Sequence, residues 1–262
     1  MSQRKRVATA GSQSKLARRS QQVVLDEDDD GDASFTQLTS SQVQKARENF
    51  TSVQVDRKVA EVVQFILIKD QKKIPIRRAD IVKHVIKEYK ALYQDIIKRV
   101  DRTFEQVFGL KLVEIDSKNH IYILINKLQP VPGEPISMCP GNPKTGLLFV
   151  ILSIIFMKGG TVKENVVWNT LKKLRVDVGE KHEEFGDVKK VVTDEFVRQK
   201  YLEYLRIPHT EPLEYEFRWG QRAEKEVSKM KVLEFIGELH SQEPQTWTQQ
   251  YREASSGESS QR

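Results

Sequence analysis

Cysteine and long apolar runs are scarce in this chain of 262 residues. The single cysteine, Cys139, excludes an internal disulfide and a cysteine-rich zinc site, and it is typical of a reducing compartment. The longest mainly apolar run, 147–157, has eleven residues including Ser153, whereas a membrane helix needs roughly 20. Charged residues also stand where a signal peptide has its apolar segment. We therefore expect neither a membrane span nor secretion.

Signals of catalysis are missing as well. The histidines are scattered, and none of them forms a paired metal-ligand spacing; they are His84, His120, His182, His209 and His240. Residues 141–146 superficially resemble a phosphate-binding loop, but Leu147 replaces the essential lysine and no strand precedes the segment. The sequence predicts no enzyme, no cofactor and no metal site.

Charge is distributed unevenly along the chain, whose formal net charge is +6. The acidic run 26–32 balances the basic residues of the first 34 positions, so the excess positive charge lies further along. Two basic clusters resemble a nuclear import signal, although an idle basic tail is the alternative. These import candidates are Arg4, Lys5, Arg6, Lys15, Arg18 and Arg19. We expect residues 1–50 to form a mostly disordered tail in which the acidic run is a solvated spacer.

The stretch 57–86 predicts a helix, a short strand and a second helix. The apolar stripe of the first helix has the three-and-four spacing of one helical face; it contains Val59, Val62, Val63, Ile66 and Leu67. Phe65 and Ile68 lie outside this stripe, so we expect something besides the domain core to cover the excess apolar surface. Pro75 limits residues 74–76 to an extended piece, and helical spacing resumes over 78–86.

A longer helix is predicted over 91–108, with Gly109 as its C-terminal stop. Its inward residues are expected to be Leu92, Ile96, Val100, Phe104 and Val107. Strands are predicted over 110–115 and 121–128, on either side of a polar turn. This order of elements is that of a winged helix, which we assign to residues 51–128.

The second half repeats this plan after a proline-rich linker, 129–146. We expect a helix over 147–158 that is apolar on all sides, and a capping box of Thr161 and Glu164 at the start of the next helix. A further helix should begin at Thr193 and continue through Leu205. Strand 215–219 has one aromatic face, which we interpret as core rather than as a base-stacking platform. A closing helix over 222–239 completes a second winged helix at 147–240, and 241–262 is expected to be a polar tail.

Three motifs carry a family resemblance: FMKGG at 156–160, FGDVKKVVTDEFVRQKYLEYLRIP at 185–208, and YEFRWGQRAEKEVSKMKVLEFI at 215–236. They resemble the melanoma-antigen (MAGE) homology domain, a tandem winged helix, over roughly 59–239. The first half, VQFILIKDQKKIPIRRADIVKHVI, is most similar to the branch of that family that serves the Smc-five/six chromosome complex. The resemblance implies a mainly α fold with small β hairpins.

The same resemblance implies a nuclear, chromatin-associated adaptor without enzymatic activity. Its expected partners are a RING-type ubiquitin ligase subunit, a kleisin subunit in the groove between the domains, the Smc heterodimer through that kleisin, and DNA without sequence specificity during repair. In the family an adjacent leucine pair supports RING binding, and this pair falls on Ile66 and Leu67. From periodicity alone, both residues could instead be simple core residues.

DNA contact is expected from basic residues of the second domain, because such side chains displace counterions from the duplex. The candidates are Lys172, Lys173, Arg175, Lys189, Lys190, Arg198, Lys200 and Arg206. Acidic residues nearby in sequence leave a mixed, solvated face as the alternative. Two other functions stay open: a free-standing winged-helix transcription regulator, and a MAGE-type ligase adaptor outside the chromosome complex.

Overall fold

The computed structural model describes residues 44, 45, 48–128 and 142–259, all within the larger of the chain's two compact units, Thr36–Arg262. The import candidates, the acidic run, Cys139 and most of the linker lie outside the described residues.

The first winged helix begins with α1, Ser52–Gln71. Thr51 caps this helix, because its hydroxyl accepts a hydrogen bond from the Gln54 amide while the Gln54 side chain accepts one from the Thr51 amide. The elements that follow are β1 (Ile76–Arg77), α2 (Arg78–Ile81, continued as a π-helix by Val82–Ile86), a 3₁₀ turn (Lys87–Leu92), α3 (Tyr93–Thr103, continued as a π-helix by Phe104–Phe108), β2 (Leu110–Asp116) and β3 (Ile121–Asn126).

The second winged helix has the same order with additions. Its elements are α4 (Pro143–Met157), β4 (Thr161–Lys163), α5 (Glu164–Lys173), a small hairpin of β5 (Lys181–His182) and β6 (Gly186–Asp187), α6 (Val188–Lys190, Val191–Glu195 and Phe196–Arg198, the middle piece being π-helical), β7 (Leu202–Arg206) and β8 (Tyr215–Trp219). After these come α7 (Gln221–Glu226), α8 (Lys229–His240), a 3₁₀ turn (Pro244–Thr246) and α9 (Thr248–Ser259).

The two three-stranded sheets have equivalent topologies. The first has the order β1-β3-β2 and the second β4-β8-β7, so in each the short strand pairs with the last strand of the hairpin. All these pairings are antiparallel. The tandem winged-helix fold expected from the sequence is therefore confirmed.

The predicted capping box at Thr161 is wrong. Thr161 belongs to β4, where it pairs with Arg218 of β8, and α5 begins only at Glu164. The buried Val162 pairs with Phe217, so the segment is fixed by the sheet rather than by a helix start. Glu164 accepts hydrogen bonds from the Trp168 indole (2.8 Å) and the Tyr204 hydroxyl (3.0 Å) instead of capping its own helix.

The helix predicted from Thr193 through Leu205 is also wrong at both ends. It begins at Val188, where the Asp187 carboxylate caps it by accepting a hydrogen bond from the Lys190 amide (2.9 Å). It ends at Arg198, and the following residues form β7, paired with β8 along its whole length. Sheet pairing therefore overrides the helical spacing of the apolar residues in 201–205.

The C-terminal part contains more helices than the predicted closing helix and polar tail, since α7, α8 and α9 all lie there. Ser228 caps α8 by accepting a hydrogen bond from the Lys231 amide, which separates this helix from α7. Beyond residue 240, α9 packs onto the core of the second winged helix with Ala254 only 2% exposed. No helix in the described ranges is long and apolar enough to cross a bilayer.

Candidate protein-docking site

An apolar groove of about 590 Å³ lies between α1 and the end of α3, and we call it the α1–α3 groove. Ile68 is 57% exposed and Val107 is 69% exposed at its surface. Val107 therefore does not point inward as predicted. The apolar lining consists of Val59, Ala60, Val63, Leu67, Ile68, Val107 and Phe108. Exposed large apolar side chains grouped in one groove with a polar rim are typical of a protein-docking surface.

The adjacent pair predicted to support RING binding is divided by the structure. Ile66 is completely buried and belongs to the core of the first winged helix. Leu67 is partly exposed and lines the α1–α3 groove. In this conformation only Leu67 can contact a partner directly, and Ile66 can act only by holding α1 in place.

An ion pair links the two helices beside the groove. Arg99 Nη1 of α3 donates to Asp56 Oδ1 of α1 at 2.6 Å, and both residues also line the groove. Both side chains are well exposed, so this pair contributes little to stability. It supplies a charged rim of the kind that surrounds an apolar docking core.

A second concave site, the inter-domain cleft, has a volume of about 710 Å³. The residues after α1, the start of α4 and the end of α6 line it, with Lys72, Lys73, Lys144 and Arg198 as its basic side chains. Lys144 is paired with Glu195 at 2.6 Å. Leu148, Phe196 and Ile74 add apolar surface. A cleft with this mixture suits an extended polypeptide that carries both apolar and acidic side chains.

The floor of the cleft contains a buried tyrosine. The Tyr201 hydroxyl donates to Glu226 Oε2 at 3.0 Å. Burial raises the pKa of this phenol, and the nearby Glu226 carboxylate raises it further. Tyr201 therefore stays protonated and acts as a fixed hydrogen-bond donor at the boundary between the two winged helices.

The eight DNA candidates are all exposed, but the structure distributes them over separate places. Lys172 and Lys173 lie in the last turn of α5, whereas Lys189 is 4.0 Å from Glu164 at the first residue of that helix. Eight residues of helix, about 12 Å, separate these positions along the axis. Arg198 lines the inter-domain cleft. The remaining candidates lie after α5 (Arg175), in the first turn of α6 (Lys190), after α6 (Lys200) and at the end of β7 (Arg206).

The aromatic face of β8 is part of the core, as predicted. Phe217 is fully buried and Trp219 nearly so, and the Trp219 indole donates to the Leu152 carbonyl of α4 at 2.9 Å. Tyr204 stacks on Tyr215 with ring centroids 4.7 Å apart. This face is therefore covered by the protein itself and does not offer a base-stacking platform.

Several histidines have local structural partners. His84 Nδ1 lies 2.9 Å from the Asp80 carbonyl, His120 Nδ1 lies 2.7 Å from Glu114 Oε1, and His182 stacks on Phe185. Among the described residues, no group of three or more histidine, cysteine or acidic side chains could hold a metal ion.

The sequence interpretation missed two residues of these candidate sites. Phe108 was not recognised as groove-lining; it and Val107 are adjacent apolar residues at the end of α3, beyond Phe104, the last buried residue of that helix. Arg222, completely buried between the winged helices, has no sequence signal, because arginine is mostly a surface residue.

The fold and these two concave sites define a tandem winged-helix protein with surfaces suited to protein partners. The family model described as the MAGE homology domain matches residues 62–230, and the chain belongs to this family. It is 54% identical over 202 residues to the human protein named non-structural maintenance of chromosomes element 3 homolog, and the match covers 77% of this chain and 66% of that relative. The mouse protein of the same name is 51% identical over 211 residues (80% of this chain, 76% of the relative).

Other members of the family are similar over most of this chain. Human melanoma-associated antigen D2 is 46% identical over 217 residues, which is 83% of this chain and 36% of that protein. Among solved structures, a chain of the Nse1-Nse3-Nse4 complex aligns with a TM-score of 0.75 at 60% sequence identity, covering 79% of this chain and 100% of that one.

Proposed function

We propose that this chain is a non-enzymatic adaptor subunit of the Smc-five/six chromosome maintenance and DNA repair complex. In this proposal it binds and supports a RING-type ubiquitin ligase subunit through the α1–α3 groove. Its similarity to two chromosome maintenance elements and to a subunit of a three-protein complex supports this role. A subunit of such a complex would act in the nucleus on chromatin.

The observation that carries the RING assignment is the uncovered apolar surface of the α1–α3 groove. Ile68, Val107 and Phe108 are all exposed there, and burying such side chains contributes roughly 1.5 to 3 kcal/mol each. In most interfaces a few central residues supply most of the binding free energy. These three side chains would therefore supply much of the affinity for the RING subunit. Leu67 would join them as a direct contact, with Ile66 supporting the helix from inside.

The inter-domain cleft is the proposed site of the kleisin, and the Smc heterodimer would be reached through that subunit. The basic side chains of the cleft favour an acidic segment, and its apolar positions favour aliphatic anchors. The basic residues of the second winged helix would add a weak, salt-sensitive contact with DNA. The mixed charges of α6, which carries Lys189 and Lys190 but also Asp194 and Glu195, disfavour a sequence-reading transcription regulator.

The RING assignment can be tested with two matched substitutions on α1. Ile68→Asp changes the groove, whereas Val53→Asp makes the same kind of change at a residue that is 78% exposed and lies outside it. Neither residue is in the core, so both variants should keep the melting temperature of the wild type. We expect Ile68→Asp to weaken binding of the purified RING subunit at least tenfold in calorimetry, and Val53→Asp to bind normally.

Equal binding of the RING subunit by the wild type and Ile68→Asp would reject the α1–α3 groove as its site. Absence of wild-type binding would instead favour a MAGE-type adaptor outside the chromosome complex. Ile66→Ala and Leu67→Ala extend the test, since only the first should lower stability strongly, by about 2 to 5 kcal/mol.

A further inference from the structure

The side chain of Arg222 lies completely buried where the two winged helices meet. It belongs to the first turn of α7, in the second winged helix. Its Nη1 donates to the carbonyl oxygen of Lys73 at 2.9 Å. Lys73 lies between α1 and β1 of the first winged helix, so this hydrogen bond crosses the boundary between the two.

Two carboxylates, one from each winged helix, flank the buried guanidinium. Asp70 Oδ1 of α1 lies 3.9 Å from Nη2, and Glu226 Oε2 of α7 lies 3.9 Å from Nε. The Tyr201 ring centroid is 5.3 Å from Cζ. We call these four residues the Arg222 cluster. A separation of 3.9 Å is an ion pair but not a hydrogen bond, and within the described residues Nε, Nη2 and Asp70 Oδ1 have no hydrogen-bond partner.

The backbone around Gly220 positions Arg222 at the boundary between the two winged helices. The amide of Gly220 donates to the Tyr201 carbonyl (2.8 Å), and the amide of Arg222 donates to the Lys200 carbonyl (2.9 Å). A Cβ atom on Gly220 would lie 2.3 Å from that Lys200 oxygen, so only glycine allows α7 to begin this close to 200–201. Beside it, the Gln199 side chain donates to the Lys72 carbonyl at 3.2 Å, a second hydrogen bond across the boundary.

A buried charge of this kind specifies geometry more than it stabilises. Removing an arginine from water is costly, and a protein with an apolar side chain of the same volume in its place is often equally stable or more so. The guanidinium differs from an apolar side chain in having donors of fixed direction, which fit only one arrangement of the acceptors around it. Here the hydrogen-bonded acceptor, the Lys73 carbonyl, belongs to the first winged helix, whereas the arginine belongs to the second.

We propose that Arg222 is a positioning residue that fixes the orientation of the two winged helices and thereby the width of the inter-domain cleft. Lys73, Tyr201 and Glu226 line that cleft and also contact Arg222. Of the two 3.9 Å pairs only Asp70–Arg222 joins the two winged helices, because Glu226 lies on α7 together with Arg222. A closing shift of about 1 Å would bring Asp70 Oδ1 and Arg222 Nη2 to the length of a charge-assisted hydrogen bond. The Asp70–Arg222 distance therefore depends on how far the cleft is closed. That the occupant is the kleisin rests on the proposed function, whereas the control of orientation does not.

The test measures orientation directly in the full chain. Spin labels are attached to cysteines introduced at two exposed positions, Lys83 on α2 and Glu234 on α8, after Cys139→Ser removes the native thiol. Pulsed electron resonance then gives the distance distribution between the winged helices. Arg222→Met keeps volume and removes the donors, Arg222→Lys keeps the charge without the fork, and Arg218→Met is a matched control at an exposed arginine on β8.

We expect Arg222→Met to keep its helicity while its distance distribution becomes at least twice as wide, with Arg222→Lys in between and Arg218→Met like the wild type. Binding of the purified kleisin subunit should fall about tenfold in Arg222→Met. A wild-type distribution in Arg222→Met would overturn the positioning role. If Arg222→Met does not fold, Asp70→Asn removes the charged partner of Arg222 in the first winged helix and leaves the Lys73 carbonyl in place. An unchanged distribution in that variant would overturn the role equally.

The kleisin measurement separates this inference from the proposed function. A broadened distribution in Arg222→Met, together with no kleisin binding by the wild type, would support the role of Arg222 and reject the cleft as the kleisin site.

Discussion

The first helices of the two winged helices have equivalent places in the fold but are covered differently. Both helices have more apolar surface than the sheet and the other two helices of the basic winged-helix unit bury. On α4 the excess is covered by the same chain: Phe149 contacts Phe235 of α8 with ring centroids 5.2 Å apart, and Gln250 of α9 donates to the Met157 carbonyl at 3.2 Å. On α1 the corresponding excess lines the α1–α3 groove and stays exposed. Apolar surface beyond what the core needs therefore predicts contact with a further segment or a partner. The structure shows that α8 and α9 make this contact on α4, whereas no described segment makes it in the α1–α3 groove.

The largest expected effect comes from disrupting the packing of α9 on the core of the second winged helix. Ala254→Arg would place a charge at a position of α9 that is buried in the core. We expect it to lower the free energy of unfolding by about 3 kcal/mol or more, since the cation is buried without a partner or α9 is expelled. Urea denaturation measures this loss.

Ser256→Arg is the matched control, because Ser256 is an exposed residue of the same helix. It should change stability by less than about 0.5 kcal/mol. Equal unfolding midpoints for the two variants would mean that α9 does not cover the core.

A second comparison concerns DNA. If the second winged helix contacts phosphates, Lys172→Ala with Lys173→Ala should weaken binding on the order of tenfold and lower the slope of log K against log salt by about 1.8. Lys98→Ala with Arg102→Ala on α3 should leave the DNA affinity and the salt slope unchanged, because acidic residues are interspersed there. Fluorescence anisotropy at several salt concentrations measures the slopes. Equal losses from both pairs would remove the distinction between the two domains.

The third helix of each winged helix ends in a residue with left-handed backbone, but the residue types differ. Gly109 has φ 63° in the first domain, and Lys200 has φ 66° at the matching place in the second. A side chain in this region costs about 1 to 2 kcal/mol, partly offset by the greater freedom of glycine in the unfolded chain. Gly109→Ala should therefore destabilise by about 1 kcal/mol or more, because its Cβ would also lie 2.4 Å from Leu128 Cδ2, and Lys200→Gly should stabilise by about 0.5 to 1 kcal/mol. Calorimetric melting of both variants gives the signs, and a loss of stability in Lys200→Gly would contradict this account.

Elements that are determined by the residue pattern of one segment could be predicted from the sequence. Elements that are determined by pairing with another segment could not. Gly109 ends α3 as expected, because the left-handed conformation is a local requirement. The spacing of Tyr201, Leu202 and Leu205 predicts a helix where the structure has β7, and only the pairing with β8 favours the strand. This pairing joins residues 9 to 17 positions apart, and the apolar spacing within 201–205 does not reveal it.

The candidate sites show the same limit. Periodicity identified the helix that carries Ile66 and Leu67, but the two residues are adjacent, and the packing of α3 decides which of them is buried. The groove also needs Val107 and Phe108, which are about 40 residues away; Val107 was expected to point inward, and no role was predicted for Phe108. A resemblance between sequences can transfer a binding role, whereas the division between core and contact residues needs the fold.

The smallest expected effect distinguishes the two hairpin turns by their response to acid. In the first, Asp116 accepts hydrogen bonds from the amides of Lys118 and Asn119 and from the Asn119 side chain, the last at 2.8 Å. The Asn119 side chain is the main cause that holds the pKa of Asp116 below its usual 3.8, helped by backbone hydrogen bonds and the charge of Lys200. The second hairpin is closed by Thr210, a neutral residue, whose hydroxyl accepts from the Glu214 amide at 3.1 Å.

Because the folded pKa of Asp116 lies below the unfolded value, its contribution to stability is present above about pH 4 and is lost as the pH falls through the folded pKa. Asn119→Ala should raise the Asp116 pKa toward 3.8 in a carboxyl NMR titration. It should also cost less than about 1 kcal/mol at neutral pH, since the turn is solvated. Thr210→Ala should lose a similar amount at every pH. An Asp116 pKa that stays low in Asn119→Ala would contradict the main role of the Asn119 side chain and would assign the shift to the backbone amides of residues 118 and 119 and to the charge of Lys200.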